Sequence, residues 1–357
     1  MIKVGKDREI VFDETLRDKR QEAKITGKFD YDINNYELID YEFKAGKKKV
    51  YKNFNFSIFI TDYCNADCKF CVAQLRYQHK NAMYRKEHIK DNKEYLRRLE
   101  EVLKVIRPLN PSVSITGGEP TLSPILVDVI ELIEKYNFRK RTITTNGSGL
   151  LKVIKGKTII QHLIDNHFDH LNISRVSHID SKNREIMRYN SKDSYCSMDM
   201  LKQILEITNN STLNHRISCL LLKESVNDVT AMKEYIDFYS KMGAKNFIFR
   251  ELMDYDKTAI NTEKMQYCDA NKVKLYDVWH QFKKYPEFKP YLNVLGYYYY
   301  VEIYKYNNIT VASESADLRI QDREKQKNPN IVYETVFHNN GNLCASWIDS
   351  KEVLDKY

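Results

Sequence analysis

Short apolar segments alternate with amphipathic helical patterns between residues 53 and 255, and this alternation restricts the fold more than any other feature of the sequence. Apolar side chains recur at helical spacing from Tyr95 to Ile106, whereas the intervening segments have the length and apolar character of buried strands. Strands that alternate with helices form a parallel sheet, in either a doubly wound or a barrel arrangement. The predicted strands are 55–61, 112–116, 141–145, 170–174, 216–222 and 245–251.

Single residues predict two helix boundaries in this core. Ser123 precedes Pro124, a pair that favours Ser123 as the N-cap of the second helix and Pro124 in its first turn. A later helix carries apolar side chains from Met232 to Met242, and we expect it to stop at Gly243.

The segments on either side of the core have different patterns. Residues 1–52 are predicted to form an N-terminal extension that contains a β-hairpin with its turn at Gly46. The core domain spans residues 53–255. Residues 256–357 begin with a predicted helix near 262–284 and continue as aromatic strands, which predicts a β-rich C-terminal cap.

The composition excludes several classes of protein. No apolar run approaches the roughly 18 residues that a membrane span needs, and the start, MIKVGKDREI, lacks the apolar region of a secretory signal. Seven cysteines are few, and odd in number, for a disulfide framework in 357 residues, so we expect a soluble, cytoplasmic protein whose cysteines bind metal. The 57 Lys and Arg exceed the 49 Asp and Glu, which suits an anionic substrate, an acidic redox partner or a solvated surface. Neither a nucleic acid nor a membrane is an expected partner.

Three cysteines, Cys64, Cys68 and Cys71, follow the first predicted strand at spacings of four and three. Three thiolates on one loop can hold one soft metal centre. A tetrahedral zinc site needs a fourth ligand, and the nearest histidine, His79, lies in a basic loop without a second ligand pair. A 4Fe–4S cluster fits better, because three cysteines leave one iron open. The other interpretation is a chance meeting of three buried cysteines.

The segment Cys64–Cys71 resembles the cluster loop of radical S-adenosylmethionine (radical SAM) enzymes, and further motifs match that family in order. Phe70 occupies the aromatic position before the third cysteine. Gly117–Pro120 reads Gly-Gly-Glu-Pro, the motif that binds the methionine amino group in the family. Thr145–Gly147 closes the third strand, and Asn172–Ser174 lies on the fourth, where polar side chains meet the ribose or the methionine carboxylate.

This resemblance covers about residues 55–251 and implies a partial (β/α)6 TIM-like barrel with one 4Fe–4S cluster on the three cysteines. One electron from the cluster would cleave S-adenosylmethionine to a 5′-deoxyadenosyl radical that abstracts hydrogen from the substrate. A flavodoxin- or ferredoxin-type donor would supply the electron. The resemblance assigns S-adenosylmethionine binding to Phe70, Gly117, Gly118, Glu119, Pro120, Asn146, Ser174 and Arg175.

The residue types of the Gly-Gly-Glu-Pro motif are chemically suited to binding S-adenosylmethionine. Gly117 and Gly118 have no side chain, so the backbone can approach a ligand closely. The carboxylate of Glu119 is an acceptor for an ammonium group, and Pro120 fixes the turn into the following helix. Many relatives have an acidic residue shortly after the serine at position 174, and here we expect Arg175 or Ser177 to take over that polar contact.

The core also resembles the SPASM and twitch branch of the family, which includes the molybdenum-cofactor GTP cyclase. Relatives of this branch carry auxiliary clusters in the C-terminal domain, but here the tail holds only Cys268 and Cys344, and no Cys-x-x-Cys follows Cys344. We therefore expect a vestigial, twitch-like cap without an auxiliary cluster.

No motif identifies the group that acts on the substrate. Arg250 suits a substrate carboxylate or phosphate, or equally a structural salt bridge. Tyr300 belongs to a segment with seven tyrosines, 291–306, which predicts a half-buried strand or a substrate wall. The weak candidates for catalysis are Arg250, Glu302, Tyr300 and Cys344.

The substrate class predicted from these features is a small polar metabolite, such as a sugar, an aminoglycoside or a nucleotide derivative. The alternative is a peptide maturase that recognises its substrate through a partner protein. A third hypothesis is a zinc-binding or iron–sulfur sensing protein without turnover. The basic run at 76–90 is either a solvated surface or a docking surface for an acidic electron donor.

Overall fold

The structure is a computed structural model that describes residues 8–26, 37–71, 89–191, 194–253, 263–296 and 298–357. Its strands are β1 (Arg8–Val11), β2 (Leu38–Phe43), β3 (Gly46–Phe59), β4 (Ser112–Thr116), β5 (Lys140–Thr145), β6 (Val153–Ile154), β7 (Lys157–Thr158), β8 (His170–Ser174), β9 (Asn214–Leu220), β10 (Asn246–Arg250), β11 (Phe288–Leu295), β12 (Tyr299–Tyr306), β13 (Ile309–Ala316), β14 (Ile331–Phe337), β15 (Asn342–Cys344) and β16 (Val353–Lys356). Its helices are α1 (Thr15–Thr26), α2 (Asn92–Ile106), α3 (Leu126–Tyr136), α4 (Ile159–Asp165), α5 (Asp180–Met187), α6 (Met198–Asn209), α7 (Val229–Lys241), α8 (Glu263–Asn271), α9 (Leu275–Gln281) and α10 (Leu318–Lys327). No helix within these ranges combines the length and apolar character that a membrane crossing requires.

The chain divides into two compact units, and each gathers separate stretches of sequence. The cysteine-loop unit contains the described parts of Leu38–Ser174, Met187–His215 and Asn330–Tyr357. The tyrosine-rich unit contains the described parts of Met1–Glu37, Arg175–Ile186 and Arg216–Pro329. Both units draw on the predicted extension, core and cap, whose boundaries after residues 52 and 255 stay predictions.

The cysteine-loop unit is built on a parallel sheet in the order β8-β5-β4-β3-β14. Strand β4 alternates buried and half-buried residues, and α2 buries the predicted apolar stripe from Tyr95 to Ile106. Strand β3 begins at Gly46 rather than at residue 55, because its first part is the second arm of the predicted hairpin and pairs with β2. Strands β15 and β16 extend the sheet in antiparallel fashion beyond β14.

Helix α3 does not begin where the sequence predicts. Its N-cap is Ile125, not Ser123. Pro120–Leu122 form a single 3₁₀ turn, and Ser123 ends that turn with an extended backbone. The prediction of Ser123 as the N-cap was wrong because the turn after the Gly-Gly-Glu-Pro motif separates Ser123 from the helix.

Within the tyrosine-rich unit the strand order is β9-β10-β13-β12-β11-β1, and β9, β10 and β13 run parallel. Helix α7 covers one face of this sheet, since the Tyr235 ring lies 6.1 Å from that of Phe247 and 5.5 Å from that of Phe249. The helix ends just before Gly243, whose φ of +104° favours glycine, so the predicted stop is confirmed.

The C-terminal region is β-rich as predicted, but its strands do not form a separate sheet. Strand β13 pairs in parallel with β10, and β14 pairs in parallel with β3. The predicted helix near 262–284 is two helices, α8 and α9, because Lys272 leaves the helix to form a β-bridge with Leu222.

Candidate cofactor site

The loop that carries the three predicted cluster cysteines follows β3 and is held by backbone contacts. Ala66 forms an antiparallel bridge with Tyr189, and the N–H of Asp67 donates to the carbonyl of Arg188 at 2.9 Å. The N–H of Cys71 donates to the carbonyl of Cys68 at 3.1 Å, which closes a turn between the second and third cysteines. The loop is therefore positioned by the start of the segment that leads into α6.

All three thiols are half-buried and free of disulfides. Burial raises the pKa of Cys64 to about 12, and the nearby charges of Glu119 and Cys71 act in the same direction. Within the described ranges, no three His, Cys, Asp or Glu side chains converge closely enough to form a metal-ligand set. The loop thus supplies three soft donors of the type that an iron–sulfur cluster takes, at accessible positions, without holding them at ligand distances.

Gly117 and Gly118 pack against the backbone that leads into Cys64. The N–H of Gly118 donates to the carbonyl of Thr61 at 2.6 Å. A Cβ on Gly117 would lie 2.4 Å from the Thr61 oxygen, and one on Gly118 would lie 2.2 Å from the Tyr63 oxygen. The sequence suggests that these glycines let the backbone approach a ligand closely. In the structure, the segment at Thr61 and Tyr63 by itself already requires glycine at both positions.

Glu119 is almost fully buried and connects two predicted motifs. Its Oε1 accepts from the Thr121 N–H at 3.0 Å, the Thr121 hydroxyl at 2.6 Å and the Thr145 hydroxyl at 2.5 Å. Its Oε2 accepts from the Asn146 N–H at 2.7 Å. Burial raises the pKa of Glu119, and these hydrogen bonds oppose the shift. The carboxylate therefore positions the turn after β5 as well as its own.

Asn146 lies at the centre of a second set of hydrogen bonds. Its Nδ2 donates to the Asn65 Oδ1 at 2.7 Å, and its Oδ1 accepts from the Ser148 N–H at 3.0 Å. Asn65 in turn donates to the Ser148 hydroxyl at 2.9 Å and to the Ser194 carbonyl at 2.6 Å. Sequence reasoning missed Asn65, although a polar residue between two of the cysteines was a visible signal.

Gly147 completes the turn after β5 and needs to be glycine. Its φ is +87°, and a Cβ would lie 3.1 Å from the sulfur of the buried Cys196. Cys196, whose role the sequence does not indicate, therefore packs under the predicted S-adenosylmethionine site.

The other predicted cofactor-binding residues have varied surroundings. Pro120 is buried at the start of its 3₁₀ turn, and Phe70 and Ser174 are half-buried. Arg175 is completely buried, and its carbonyl accepts from the Tyr235 hydroxyl at 2.9 Å. The charge of Arg175 lowers the pKa of Tyr235 against the larger effect of burial.

Two weak candidates for catalysis form a buried network in the tyrosine-rich unit. Glu302 accepts from Arg17 Nε at 2.6 Å and Arg17 Nη2 at 3.0 Å. The hydroxyls of Tyr300 and Tyr304 donate to the same carboxylate at 2.9 and 2.5 Å. This network docks α1 on β12 and accounts for Glu302 and Tyr300 without a substrate.

The remaining two candidates lie apart from that network. Arg250 donates to Glu314 Oε2 at 3.3 Å and to the Ser218 hydroxyl at 2.7 Å. Cys344 is completely buried, and burial raises its pKa to about 12. His79 and most of the basic run at 76–90 lie outside the described residues.

Comparison with known proteins adds evidence that is independent of these contacts. A model of the Radical SAM superfamily matches residues 58–236, which is half of the chain. Among curated proteins, none matches the sequence significantly.

Several solved structures are similar. Streptococcus suis SuiB bound to S-adenosylmethionine has a TM-score of 0.51 and 16% identity, over 82% of this chain and 60% of that chain. A second structure of Streptococcus suis SuiB has a TM-score of 0.50 and 15% identity, over 85% of this chain and 63% of that chain. Native anSMEcpe with bound AdoMet and Cp18Cys peptide has a TM-score of 0.38 and 18% identity, over 58% of this chain and 54% of that chain. This chain thus spans less than two thirds of the length of SuiB.

At these identities the likeness to SuiB shows the fold alone. With the parallel strands and the β-rich C-terminal region, it confirms the predicted fold class of a partial (β/α)6 barrel with a β-rich appendage. The family of the matching model uses a 4Fe–4S cluster and S-adenosylmethionine, the two cofactors that the sequence predicts. The chain therefore belongs to the radical SAM superfamily.

Proposed function

We propose that this chain cleaves S-adenosylmethionine reductively and removes a hydrogen atom from a small polar metabolite. The observation that carries the proposal is the set of hydrogen bonds that the Glu119 carboxylate accepts, which joins the Gly-Gly-Glu-Pro turn to the turn at Asn146 beside the cysteine loop. A structural metal site has no need of two such turns next to its ligands.

In this proposal Cys64, Cys68 and Cys71 hold the cluster. When reduced, the cluster supplies one electron for cleavage of the sulfonium of S-adenosylmethionine. Three half-buried thiols on one loop suit this group, because thiolates are the usual protein ligands of iron–sulfur clusters.

The chain's own residues bind and position S-adenosylmethionine. The N–H groups of Gly118 and Glu119 donate to the carbonyls of Thr61 and Tyr63, so the proposed backbone acceptors for the methionine amino group are the carbonyls of Gly117 and Gly118. The buried Glu119 connects this turn to the N–H of Asn146. Phe70 and Ser174 are half-buried and so retain surface for the adenosine end. Arg175, the remaining predicted ligand, is completely buried, and its carbonyl accepts from the Tyr235 hydroxyl of α7.

The proposed substrate is a small polar metabolite, with a flavodoxin- or ferredoxin-type protein as electron donor. The tail contains two cysteines, Cys268 and Cys344, and both are buried. Two buried cysteines do not supply the ligands of an auxiliary cluster. In this proposal residues 256–357 by themselves do not hold an auxiliary cluster.

Anaerobic reconstitution with iron and sulfide, followed by reduction with S-adenosylmethionine, tests the cofactor part of the proposal. We expect the wild-type chain to form 5′-deoxyadenosine and Cys68→Ala to lose this product. The matched control is Cys268→Ala, which removes a cysteine of α8 outside the loop and should keep the product. Retention of zinc in place of iron, with no 5′-deoxyadenosine, would make this a metal-binding protein without turnover.

Deuterated candidate substrates test the substrate class. We expect deuterium from a small polar metabolite to appear in 5′-deoxyadenosine. Transfer from a peptide and from no small molecule would replace the proposal with the peptide-maturase alternative.

A further inference from the structure

Two arginines and one carboxylate share a face of the sheet in the tyrosine-rich unit. Arg250 is the last residue of β10, and its direct partner on β13 is Glu314. Residues paired across neighbouring strands project to the same face of a sheet. Ser218 of β9 is on this face too, since it accepts from Arg250 Nη1 at 2.7 Å, and Arg216 precedes it by one alternation of the strand.

This face is the one that α7 leaves uncovered. Tyr235 of α7 contacts Phe247 and Phe249, the residues of β10 that alternate with Ile248 and Arg250. In a (β/α) barrel the helices surround the outside of the sheet, so the opposite face lines the interior. Reacting groups of such barrels gather at the carboxyl ends of the strands, where Arg250 lies.

Below this row the face is apolar. Ile248, Val301 and Ala312 form a buried cluster, with Ile303 packed against it. Arg250 and Glu314 keep 28% and 22% of their side-chain surface exposed above that cluster. The guanidinium of Arg250 is thus partly exposed beside an apolar surface, an arrangement that suits a small molecule with one anionic end.

Arg216 interacts electrostatically with both Arg250 and Glu314. The pKa of Arg216 is lowered to about 10, chiefly by burial and also by repulsion from Arg250, while attraction to Glu314 opposes the shift. The two guanidiniums therefore share the field of the same carboxylate. An oxyanion between them would add charge-assisted hydrogen bonds where like charges now repel.

Arg250 has donors for such a ligand. Of its five N–H groups, the one on Nε donates to Glu314 and one of the two on Nη1 donates to Ser218 among the described residues. We propose that Arg216 and Arg250 bind a phosphate or carboxylate group of the substrate, and that Glu314 competes for Arg250 in its absence. This inference rests on the proposed function in one respect, which is that the bound ligand is the substrate.

Isothermal titration of the full chain with inorganic phosphate, and separately with succinate, at constant ionic strength tests the site. Charge-assisted hydrogen bonds of this kind are strong, so we expect Arg250→Gln and Arg216→Gln each to weaken binding of the preferred anion by about tenfold or more. The control is Arg184→Gln, whose exposed guanidinium pairs with Asp180 and should change nothing.

Glu314→Gln should change the anion affinity in the opposite direction. Removing the competing carboxylate should tighten anion binding several-fold, which a purely structural salt bridge would not do. Arg250→Lys keeps a charge but loses the forked geometry, so it should recover part of the affinity and serves if Arg250→Gln does not fold.

Three outcomes of the anion titrations would overturn the inference. They are no binding of either anion to the wild-type chain, equal binding to all variants, and weaker binding in Glu314→Gln. Titration with S-adenosylmethionine tests whether the bound anionic group belongs to the substrate or to the cofactor. If Arg250→Gln weakens S-adenosylmethionine binding as much as anion binding, the arginines bind the cofactor and the inference is overturned. Failure to form 5′-deoxyadenosine would instead contradict the proposed function and leave the anion titration standing.

Discussion

The Oε2 of Glu119 accepts a hydrogen bond from the backbone N–H of Asn146 at 2.7 Å. This bond connects the turn after β4 to the turn after β5, and both carboxylate oxygens are used within the cysteine-loop unit. A motif that the sequence suggests as a ligand site is therefore also the support on which the neighbouring motif depends.

Glu119→Gln tests this support. A carboxamide has one acceptor oxygen, so at least one of the Thr121, Thr145 and Asn146 donors loses its partner. We expect a loss of about 1–3 kcal/mol in the free energy of unfolding, measured by urea denaturation. Glu131→Gln, at an exposed position of α3 paired with Lys155, is the control and should cost far less. Equal stability of the two variants would contradict a supporting role for Glu119.

Gly118→Ala should disturb the cysteine loop directly. Its Cβ would lie 2.2 Å from the backbone oxygen of Tyr63, which cannot move without displacing the segment that leads into Cys64. We expect a loss of about 2 kcal/mol or more and a lower yield of reconstituted iron. At Gly156 nothing lies within 4 Å of an added Cβ, so Gly156→Ala should cost only about 1 kcal/mol for its positive φ and keep the iron. Unchanged iron content in Gly118→Ala would argue against this link.

The buried pair of Arg17 and Glu302 should show the energetics of a desolvated ion pair. Arg17→Met leaves the Glu302 charge buried, and we expect a loss of about 3–5 kcal/mol in the free energy of unfolding. Adding Glu302→Gln removes that charge and should recover part of the loss. The exposed pair Lys157–Asp165 is the comparison, and Lys157→Gln should cost less than about 1 kcal/mol. A double variant less stable than Arg17→Met would show that the carboxylate does not depend on Arg17.

Alkaline pH should unfold the protein through its buried tyrosines. Burial raises the pKa of Tyr95 and of Tyr235 above the usual value of 10.0. The unfolded chain releases these protons near that value while the folded state keeps them, so the stability is fully present below it and falls as the pH rises above it. Absorbance of tyrosinate, recorded together with circular dichroism, should show these residues ionising only as the fold is lost. In Tyr95→Phe the stability should fall less steeply as the pH rises. Complete ionisation in a native-like spectrum would contradict this.

Much of the parallel core could be predicted because its signals are local. Strands β4 and β8 lie at the predicted residues, since a short apolar strand leaves little choice of boundary. The N-cap of α3 was missed because the 3₁₀ turn at Pro120–Leu122 depends on Glu119 and its distant partners. Asn65 was missed for the same reason, since its partners Asn146 and Ser194 are remote in sequence.

The sequence by itself determined the family chemistry, because cysteine spacing, the Gly-Gly-Glu-Pro motif and strand–helix alternation are properties of neighbouring residues. Only the tertiary structure decided that the C-terminal strands β13 and β14 pair with β10 and β3 of the predicted core. It also decided that Glu302 is paired with Arg17 and that Glu314 attracts both Arg216 and Arg250. Pairings of this kind join residues far apart in the chain, and no local pattern encodes which distant strand or charge will lie beside another.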